Sequence, residues 1–455
     1  MSDAITTKIR MYRMHELGDC FLLTFDNSGK ESHVLIDCGS FRNSKKSADK
    51  FKEITSDISD IVGDKGIDLV VATHQHNDHM SGFEYGKEDF EEIGINQVFL
   101  SWLDDENDPL ALDIGEQHDK VIKKLSGIRE TLKESRFKGL DDSIRLALDD
   151  VVDERSFKPD KSLTGKATQF LKKVGDNPIQ YLRPGQIIDV PNVSNDAVRI
   201  HVLGPPRNYK AIRSKNPRKG ESYDKHLNNI LFSIDEMSNA LSDQTIDENF
   251  PFNKKYREFP NKRGQAIKNT IQQYRRYKKE EWRTIDFDWL AMSKRFALHL
   301  NSYTNNTSLV LAFELVQAKK ILLFVGDAQA GNWRSWDTIE WDEKDKPFDL
   351  DTLLRSTVFY KVGHHGSHNS TSKKALDRMT HENLVAFIPV NNKDPNLTKA
   401  NPWRMPAKNL YRELNKKTKG RMARMDWGKV RRKVNNWKRG SVKVDDLFVE
   451  YTMKD

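Results

Sequence analysis

The chain has 455 residues, of which 37% are hydrophobic and 31% are charged, and its formal net charge is +8. Two cysteines exclude a disulfide-stapled scaffold, and the length suffices for one large domain with insertions or for several domains. No apolar stretch approaches the ~20 residues that cross a bilayer, and the N-terminus lacks a signal-peptide core, so we expect a cytoplasmic protein with no membrane partner. The modest basic excess favours anionic partners.

The first predicted elements are a β-hairpin, a helix and a strand. Residues 20–40, CFLLTFDNSGKESHVLIDCGS, form two apolar runs around a turn-forming segment. A charged, helix-like segment follows, and IDLVVA then predicts a short strand that ends at THQHNDHMSG, residues 73–82. Because α/β folds place their sites at the carboxyl ends of strands, we expect a site here.

Two long polar segments interrupt the strand pattern, at about 101–176 and 207–295, with the strand VRIHVLG between them. Loops of this length are improbable in a compact domain without their own helices. We therefore predict a single domain over residues 1–455 with two large, mainly helical insertions. The second insertion interleaves basic and aromatic residues, which suits a nucleic-acid backbone and equally a solvated helix face. These residues are Lys254, Lys255, Tyr256, Arg257, Lys262, Arg263, Tyr274, Arg275, Arg276, Tyr277, Lys278 and Lys279.

Strands resume after the second insertion. TSLVLAFEL and KKILLFVGDA predict a second hairpin that ends at Gly326 and Asp327, and TVFYK is a strand followed by VGHHGSHNSTS. A helix, KKALDRM, and a strand, LVAFIPV, come next. The basic C-terminal segment, residues 401–455, finishes in the predicted strand DDLFVEYTM.

The loop after IDLVVA carries four residues of the types that commonly bind metal ions, three histidines and an aspartate. Residues two apart in an extended segment point the same way, so His74 and His76 can hold one ion while Asp78 and His79 face a neighbouring position. Imidazole and carboxylate groups suit zinc, manganese, iron or nickel. Two ions ~3.5–4 Å apart would clamp the attacking and leaving oxygens of a substrate, and a bound dication lowers the pKa of its water to about 7.

This loop resembles the H-x-H-x-D-H signature of the metallo-β-lactamase fold family. LGDCFLLTF, HVLIDCGS, HVLGPP, NNTSLVLAFEL, ILLFVGDA and YKVGHHGSHNSTS follow that family's order and are most similar to its ComEC-like branch. The resemblance implies an α/β fold, an αββα sandwich of two mixed β-sheets flanked by helices. It also implies a metal-dependent hydrolase with one or two divalent ions, zinc or manganese.

The resemblance further implies roles for particular residues. The metal ligands would be His74, His76, Asp78, His79, Asp327 and His364. The catalytic residues would be Asp78, His364 and His365, with one of these histidines protonating the leaving oxygen. Contacts to the substrate are expected from Lys361, Ser367, His368 and Asn306.

The sequence departs from the family pattern at two positions. Many members supply a third histidine to the first ion where this chain has Asn305 and Asn306, and ComEC-like members have a histidine where this chain has Met405 before Pro406. Neither asparagine nor methionine is expected to replace that histidine, so one tight and one loose ion is an open alternative. His201 and His299 are possible substitutes. Acids at the strand ends, Asp19 and Asp37, are expected either to orient metal-bound histidines or to make turns.

Three functions remain open from the sequence. The first is a phosphodiesterase or nuclease whose partner is nucleic acid or another phosphodiester substrate, as the nearest branch implies. The second is a small-molecule hydrolase that acts on a cyclic nucleotide, an ester or a lactone, with the insertions as a lid. The third is a catalytically weakened effector or scaffold protein in antiviral defence.

Overall fold

The computed structural model describes residues 5–42, 44–119, 162–194, 196–214, 217, 218, 221, 303–342, 349–398, 403–428 and 436–454. The chain divides into two compact units, the first made of Met1–Glu116, Glu154–Asn228 and Asn301–Asp455 and the second of Gln117–Asp153 and Asn229–Leu300. Only residues 117–119 of the second unit are described, so the fold below is that of the first. The bounds of the two insertions stay a prediction, and the basic and aromatic residues 254–279 and His299 lie outside the described residues.

The described strands are, in chain order, β1 (Thr6–Tyr12), β2 (Cys20–Asn27), β3 (Lys30–Cys38), β4 (Ile67–Val71), β5 (Ile95–Ser101), β6 (Gln180–Leu182), β7 (Ile187–Asp189), β8 (Val198–Gly204), β9 (Val310–Leu315), β10 (Lys320–Phe324), β11 (Thr357–Lys361), β12 (Val385–Ile388), β13 (Met422–Arg424), β14 (Val442–Val444) and β15 (Phe448–Lys454). The helices are α1 (Lys45–Val62), α2 (Asn77–Tyr85), α3 (Lys87–Ile93), α4 (Leu163–Val174), α5 (Tyr209–Ile212), α6 (Ala330–Ser335), α7 (Leu350–Arg355), α8 (Lys373–Arg378), α9 (Pro395–Thr398) and α10 (Lys408–Lys417). Within the described part of the chain, no helix has the length and apolar character to cross a bilayer.

The strands form two mixed sheets. The first has the order β14-β15-β1-β2-β3-β4-β5-β6, antiparallel from β14 to β3 and parallel from β3 to β6. The second has the order β13-β12-β11-β10-β9-β8-β7, antiparallel from β7 to β10 and parallel from β10 to β13. Two mixed sheets with flanking helices confirm the predicted α/β sandwich, the fold class expected for a metallo-β-lactamase-like protein.

Aromatic side chains from the two sheets meet in one apolar core. Phe21 of β2 lies edge-on to Phe324 of β10, with ring centroids 5.7 Å apart. Phe25 of β2 contacts Phe313 of β9 at 5.9 Å. Loss of a buried phenylalanine side chain typically costs about 3–5 kcal/mol. These contacts therefore hold the sheets in a fixed relation, and with them the strand ends that carry the site.

The first and last strands tie the two ends of the chain together. β1 pairs with β2 on one side and with β15 on the other. The sequence analysis predicts β15 but does not predict β1, whose TTKIRMY alternates half-buried polar and buried apolar residues. The basic C-terminal segment also supplies β13 to the second sheet, so it forms part of the fold.

The strands that carry the polar motifs end at neighbouring points. In the first sheet, Ile36 of β3 pairs in parallel with Val71 of β4, so Cys38 and Val71 end two adjacent strands. In the second sheet, Phe324 of β10 pairs in parallel with Lys361 of β11. Parallel strands end at the same edge of a sheet, so each sheet delivers two polar loops to one place.

Candidate metal centre

The loop after β4 passes directly into helix α2. His76 caps the helix in an extended conformation with φ −111°, so His74 and His76 precede the helix while Asp78 and His79 lie in its first turn. An acidic residue in the first turn is favoured by the helix dipole. All four side chains are buried, and His74 Nε2 lies 3.0 Å from His76 Nδ1. The helix start thus separates His74 and His76 from Asp78 and His79, but the candidate ligand groups join His74 with His79 and do not include His76, so the sharing of one ion by His74 and His76 stays a prediction.

Asp37, at the end of β3, orients His79. One carboxylate oxygen of Asp37 lies 2.7 Å from His79 Nδ1, and the carboxylate also accepts hydrogen bonds from the backbone N–H (2.7 Å) and hydroxyl (2.8 Å) of Thr73. Because the carboxylate holds Nδ1, it leaves His79 Nε2 free to face a ligand. Asp37 has a φ of 56°, an uncommon conformation for a residue other than glycine. Of the two roles expected for Asp37, the geometry matches the orienting one.

Asp327, from the second half of the chain, lies beside the metal loop. Its Oδ1 accepts a hydrogen bond from the backbone N–H of His364 at 2.8 Å and lies 3.3 Å from His79 Nε2. Its own N–H donates to Ser308 Oγ at 2.9 Å, which fixes the loop between β10 and α6. The carboxylate therefore lies between the two polar loops of the second sheet and the metal loop of the first.

His365 is held by both of its ring nitrogens. Nδ1 lies 2.6 Å from the Pro389 carbonyl oxygen, which can only accept, so Nδ1 carries a proton, and Nε2 lies 2.9 Å from Asp78 Oδ2. His364 and His365 have φ values of 44° and 52°, two consecutive left-handed residues that are not glycine. Such backbone strain is concentrated at functional sites, where the surrounding structure enforces it.

Three groups of side chains offer ligand atoms within 4.8 Å of one another: His74 with His79 and Asp327, Asp78 with Asp327 and His365, and Asp19 with Asp37 and His79. Asp327 belongs to the first two groups. His79 Nε2 and Asp327 Oδ2 are buried and have no hydrogen-bond partner among the described residues. Buried polar atoms that converge without partners are what a divalent cation satisfies, so these residues fit one.

The charges around the site favour cation binding. Burial, together with His79 and His76, lowers the pKa of His74 well below its usual value, so the ring is a neutral ligand. Burial opposes ionisation of Asp327, but the nearby His79 outweighs it and holds the pKa of that carboxyl well below its usual value. Burial also lowers the pKa of His364 to about 4. His74 and His364 are therefore neutral beside the ionised Asp327, whereas the surrounding carboxylates outweigh burial and raise the pKa values of His79 and His365.

Two residues predicted to bind substrate, Lys361 and Asn306, are buried and bonded within the protein, and their contact with a substrate stays a prediction. Lys361 is fully buried: its ammonium pairs with Asp19, donates to the Gly326 carbonyl at 2.8 Å and lies 3.5 Å from Asp327 Oδ1. The ammonium balances the negative charge of the acids at the site. Asn306 is also fully buried, and its side chain bonds only to backbone groups, of Ile212, Ser214, Gln329 and Asn332. These bonds make Asn306 a scaffold residue.

The other candidate site residues lie in the loop after β11. Ser367 is buried and its hydroxyl donates to Asn369 Oδ1 at 3.0 Å, while His364 and His368 are partly exposed. His364 lies 3.5 Å from the amides of Asn305, which stands where many family members supply a histidine, and of Gln329, which the sequence analysis does not name. The one signal for Gln329 is its closeness in sequence to Asp327.

Of the two proposed substitutes for the missing histidine, His201 is described by the structure and is not part of a ligand group, and His299 lies outside the described residues. His201 Nε2 lies 2.7 Å from Glu314 Oε2, on the neighbouring strands β8 and β9, and His201 belongs to none of the three ligand groups. Met405 packs against the apolar cluster that includes Leu323 and Tyr360. The described residues therefore supply no histidine or methionine in place of the absent ligands.

The comparisons with known proteins agree with this geometry. A family model described as the metallo-beta-lactamase superfamily matches residues 15–94, which include Asp19, Asp37 and the metal loop. No curated protein matches the chain. Asp327 and His365 lie outside the matched range, and the fold joins them to it. Over residues 15–94 the chain thus matches the metallo-beta-lactamase superfamily, and its two-sheet fold is consistent with that family's sandwich.

Proposed function

We propose that the protein is a metal-dependent hydrolase that cleaves phosphodiesters, with nucleic acid as the leading substrate class. The observation that carries the proposal is the sharing of Asp327 between two ligand groups, one with His74 and His79 and the other with Asp78 and His365. The matched superfamily consists generally of metal-dependent hydrolases. The hydrolase class is therefore better supported than the substrate class.

The side chains divide into holding and orienting roles. His74, His79, Asp78 and Asp327 would hold the cation, and Asp37 keeps His79 in the tautomer that a ligand needs. When bound, a divalent cation supplies Lewis-acid activation of water and of the scissile group. The buried ammonium of Lys361 offsets part of the negative charge of the acids that gather here.

The exposed part of the loop after β11 can meet a substrate. His365 is buried with both ring nitrogens engaged, so it acts as a ligand or as a support for Asp78, and it is poorly placed to deliver a proton. His364 and His368 are partly exposed and lie beside hydroxyl and amide groups suited to phosphate oxygens. This donor-rich loop, the basic net charge of +8 and the ComEC-like motif order support a phosphodiester over an ester.

The test is hydrolysis by the metal-free protein reconstituted with Mn²⁺ or Zn²⁺. We expect cleavage of bis(p-nitrophenyl) phosphate and of single- or double-stranded nucleic acid, and loss of both activities in Asp327→Ala. Asp196→Ala is the matched control, because its side chain is exposed at 87% and lies outside the ligand groups. If the small phosphodiester is cleaved while every DNA and RNA form stays intact, the protein is a small-molecule hydrolase. If the wild-type protein binds no divalent ion, both enzyme functions fail and the scaffold alternative is left.

A further inference from the structure

We propose that the Asn305 carboxamide is an oxygen ligand of a cation bound at His364, beside the ligand groups that share Asp327, and that Asn305 and Gln329 make this position prefer a hard cation such as Mn²⁺ over Zn²⁺. The inference rests on the metal dependence proposed above and concerns the chemistry of the donor set. It reverses the expectation that an asparagine cannot replace the absent histidine.

Both carboxamides are buried with unsatisfied oxygens. Asn305 lies in the helical turn at 303–306, and Gln329 caps α6 after Asp327. The two side chains are 2% and 1% exposed, and Asn305 Oδ1 and Gln329 Oε1 have no hydrogen-bond partner in the described part of the chain. A buried acceptor left unsatisfied costs about 1–3 kcal/mol. Two such acceptors at one place indicate that something else satisfies them.

His364 lies between the two amides. The amide nitrogen of Asn305 is 3.5 Å from His364 Nε2, and that of Gln329 is 3.5 Å from His364 Nδ1. Both distances are long for hydrogen bonds. A half-turn of either carboxamide exchanges its nitrogen and oxygen at almost no change in shape. After this rotation Gln329 Oε1 accepts the Nδ1–H of a neutral His364, which leaves the lone pair of Nε2 for a cation.

The same rotation of Asn305 places its oxygen about where a second ligand belongs. Two atoms each ~2.1–2.2 Å from one ion, at angles between octahedral and tetrahedral, are about 3.0–3.5 Å apart. The 3.5 Å between the Asn305 amide and His364 Nε2 falls within that separation. One cation on His364 thus accounts for both orphaned oxygens, with Asn305 as a ligand and Gln329 as the residue that fixes the imidazole tautomer.

The resulting donor set is richer in oxygen than a set with a third histidine. Carbonyl and carboxylate oxygens suit Mg²⁺ and Mn²⁺, whereas imidazole suits Zn²⁺. The carboxylate of Asp327, whose Oδ1 accepts the backbone N–H of His364, adds a further hard donor beside this position. The substitution of asparagine for histidine therefore changes which metal is preferred, and His368 is left as the partly exposed histidine that can meet a substrate.

The experiment measures Mn²⁺ and Zn²⁺ binding to the metal-free full chain by calorimetry, with Mn²⁺ also followed by electron paramagnetic resonance. We expect Asn305→Ala to weaken Mn²⁺ binding at least about 10-fold, Asn305→Asp to keep it, and Asn305→His to shift the Zn²⁺-to-Mn²⁺ affinity ratio at least about 10-fold toward zinc. Gln329→Ala should weaken the binding of both metals. Gln329→Glu, whose carboxylate still accepts a hydrogen bond from the Nδ1–H of His364, should restore that binding. The exposed Asn392→Ala is the matched control.

The outcomes separate this inference from the function it rests on. Wild-type protein that binds neither metal refutes the proposed function as well. Wild-type protein that binds Mn²⁺ while Asn305→Ala binds it equally well refutes only the role of Asn305. Circular dichroism of each metal-free variant establishes that a loss of binding is not a loss of fold, and the binding of Asn305→Asp gives the same answer independently.

Discussion

In the variant Lys361→Met the Asp19 carboxylate loses its buried counter-charge, while the volume of the side chain is nearly kept. Both side chains are almost fully inaccessible to solvent, at 2% and 1%. Removal of one partner from a buried ion pair costs about 3–5 kcal/mol, because the other charge is left without compensation. Lys361 Nζ also lies 3.5 Å from Asp327 Oδ1, where the attraction at an effective dielectric of ~20 is about 5 kcal/mol before desolvation offsets it.

We therefore expect Lys361→Met to lower the free energy of unfolding by about 3–5 kcal/mol, a large part of the 5–15 kcal/mol typical of a domain. The double variant Asp19→Asn with Lys361→Met should recover most of this loss, since removal of both charges of a buried pair is often nearly neutral. The measurement is urea unfolding with a chelator present, so that no bound metal contributes. Lys374→Met, at an exposed lysine, is the control and should change stability by less than about 0.5 kcal/mol.

Two results would refute this reasoning. A single variant within about 1 kcal/mol of the wild type would mean that Lys361 does not compensate a buried charge. If the free energy of unfolding of the double variant falls by as much as the sum of the losses in Asp19→Asn and Lys361→Met, the two residues act independently. Either result would show that Lys361 does not offset the negative charge of the acids at the site.

Three further predictions concern the support of the metal loop and the core. Asp37→Asn should weaken divalent-cation affinity about 10–100-fold in a chelator competition, because the carboxylate that holds His79 Nδ1 is lost; unchanged affinity would contradict the orienting role. Gly39→Ala would place a methyl carbon 2.3 Å from the backbone nitrogen of His79 and should destabilise by about 1–3 kcal/mol or more in thermal unfolding, whereas Gly428→Ala, with no atom within 4 Å, should not. Phe21→Ala should cost about 3–5 kcal/mol in urea unfolding, and a loss under about 1 kcal/mol would show that the inter-sheet contact is not a tight one.

The metal loop was predictable because its pattern is local. His74, His76, Asp78 and His79 follow a buried strand within six residues, and the change from extended chain to helix at His76 sorts them into pairs. Asp327 could be added only through the resemblance, since nothing within its own segment, VGDA, distinguishes a ligand from a turn residue. Its role becomes visible when β10 and β4 deliver their loops to one place.

The roles of Lys361 and Asn306 could not be predicted from the sequence, because they depend on contacts that are not local. A lysine and an asparagine close to polar motifs suggest contact with a phosphate, but their partners come from remote segments: Asp19 precedes β2, and Ile212 and Ser214 follow β8. β1 was not predicted because its alternation is short and its polar residues are strand partners of β15. Contacts between remote segments decide whether a polar side chain is buried support or open surface.

The pairing of β1 with β15 and the contacts at the candidate site join residues that are far apart in the chain. Arg10 and Glu450, which are joined across these strands, are 440 residues apart, and Asp78 and His365 are 287 residues apart. At a synthesis rate of ~5–20 residues per second, His365 leaves the ribosome's active centre roughly 15–60 s after Asp78. For most of that interval the two ligand groups that contain Asp327 are incomplete, whereas Asp19, Asp37 and His79 have all been synthesised. The two ligand groups that contain Asp327 can therefore both form only after the strands of the second sheet that carry Asp327 and His365 have been synthesised.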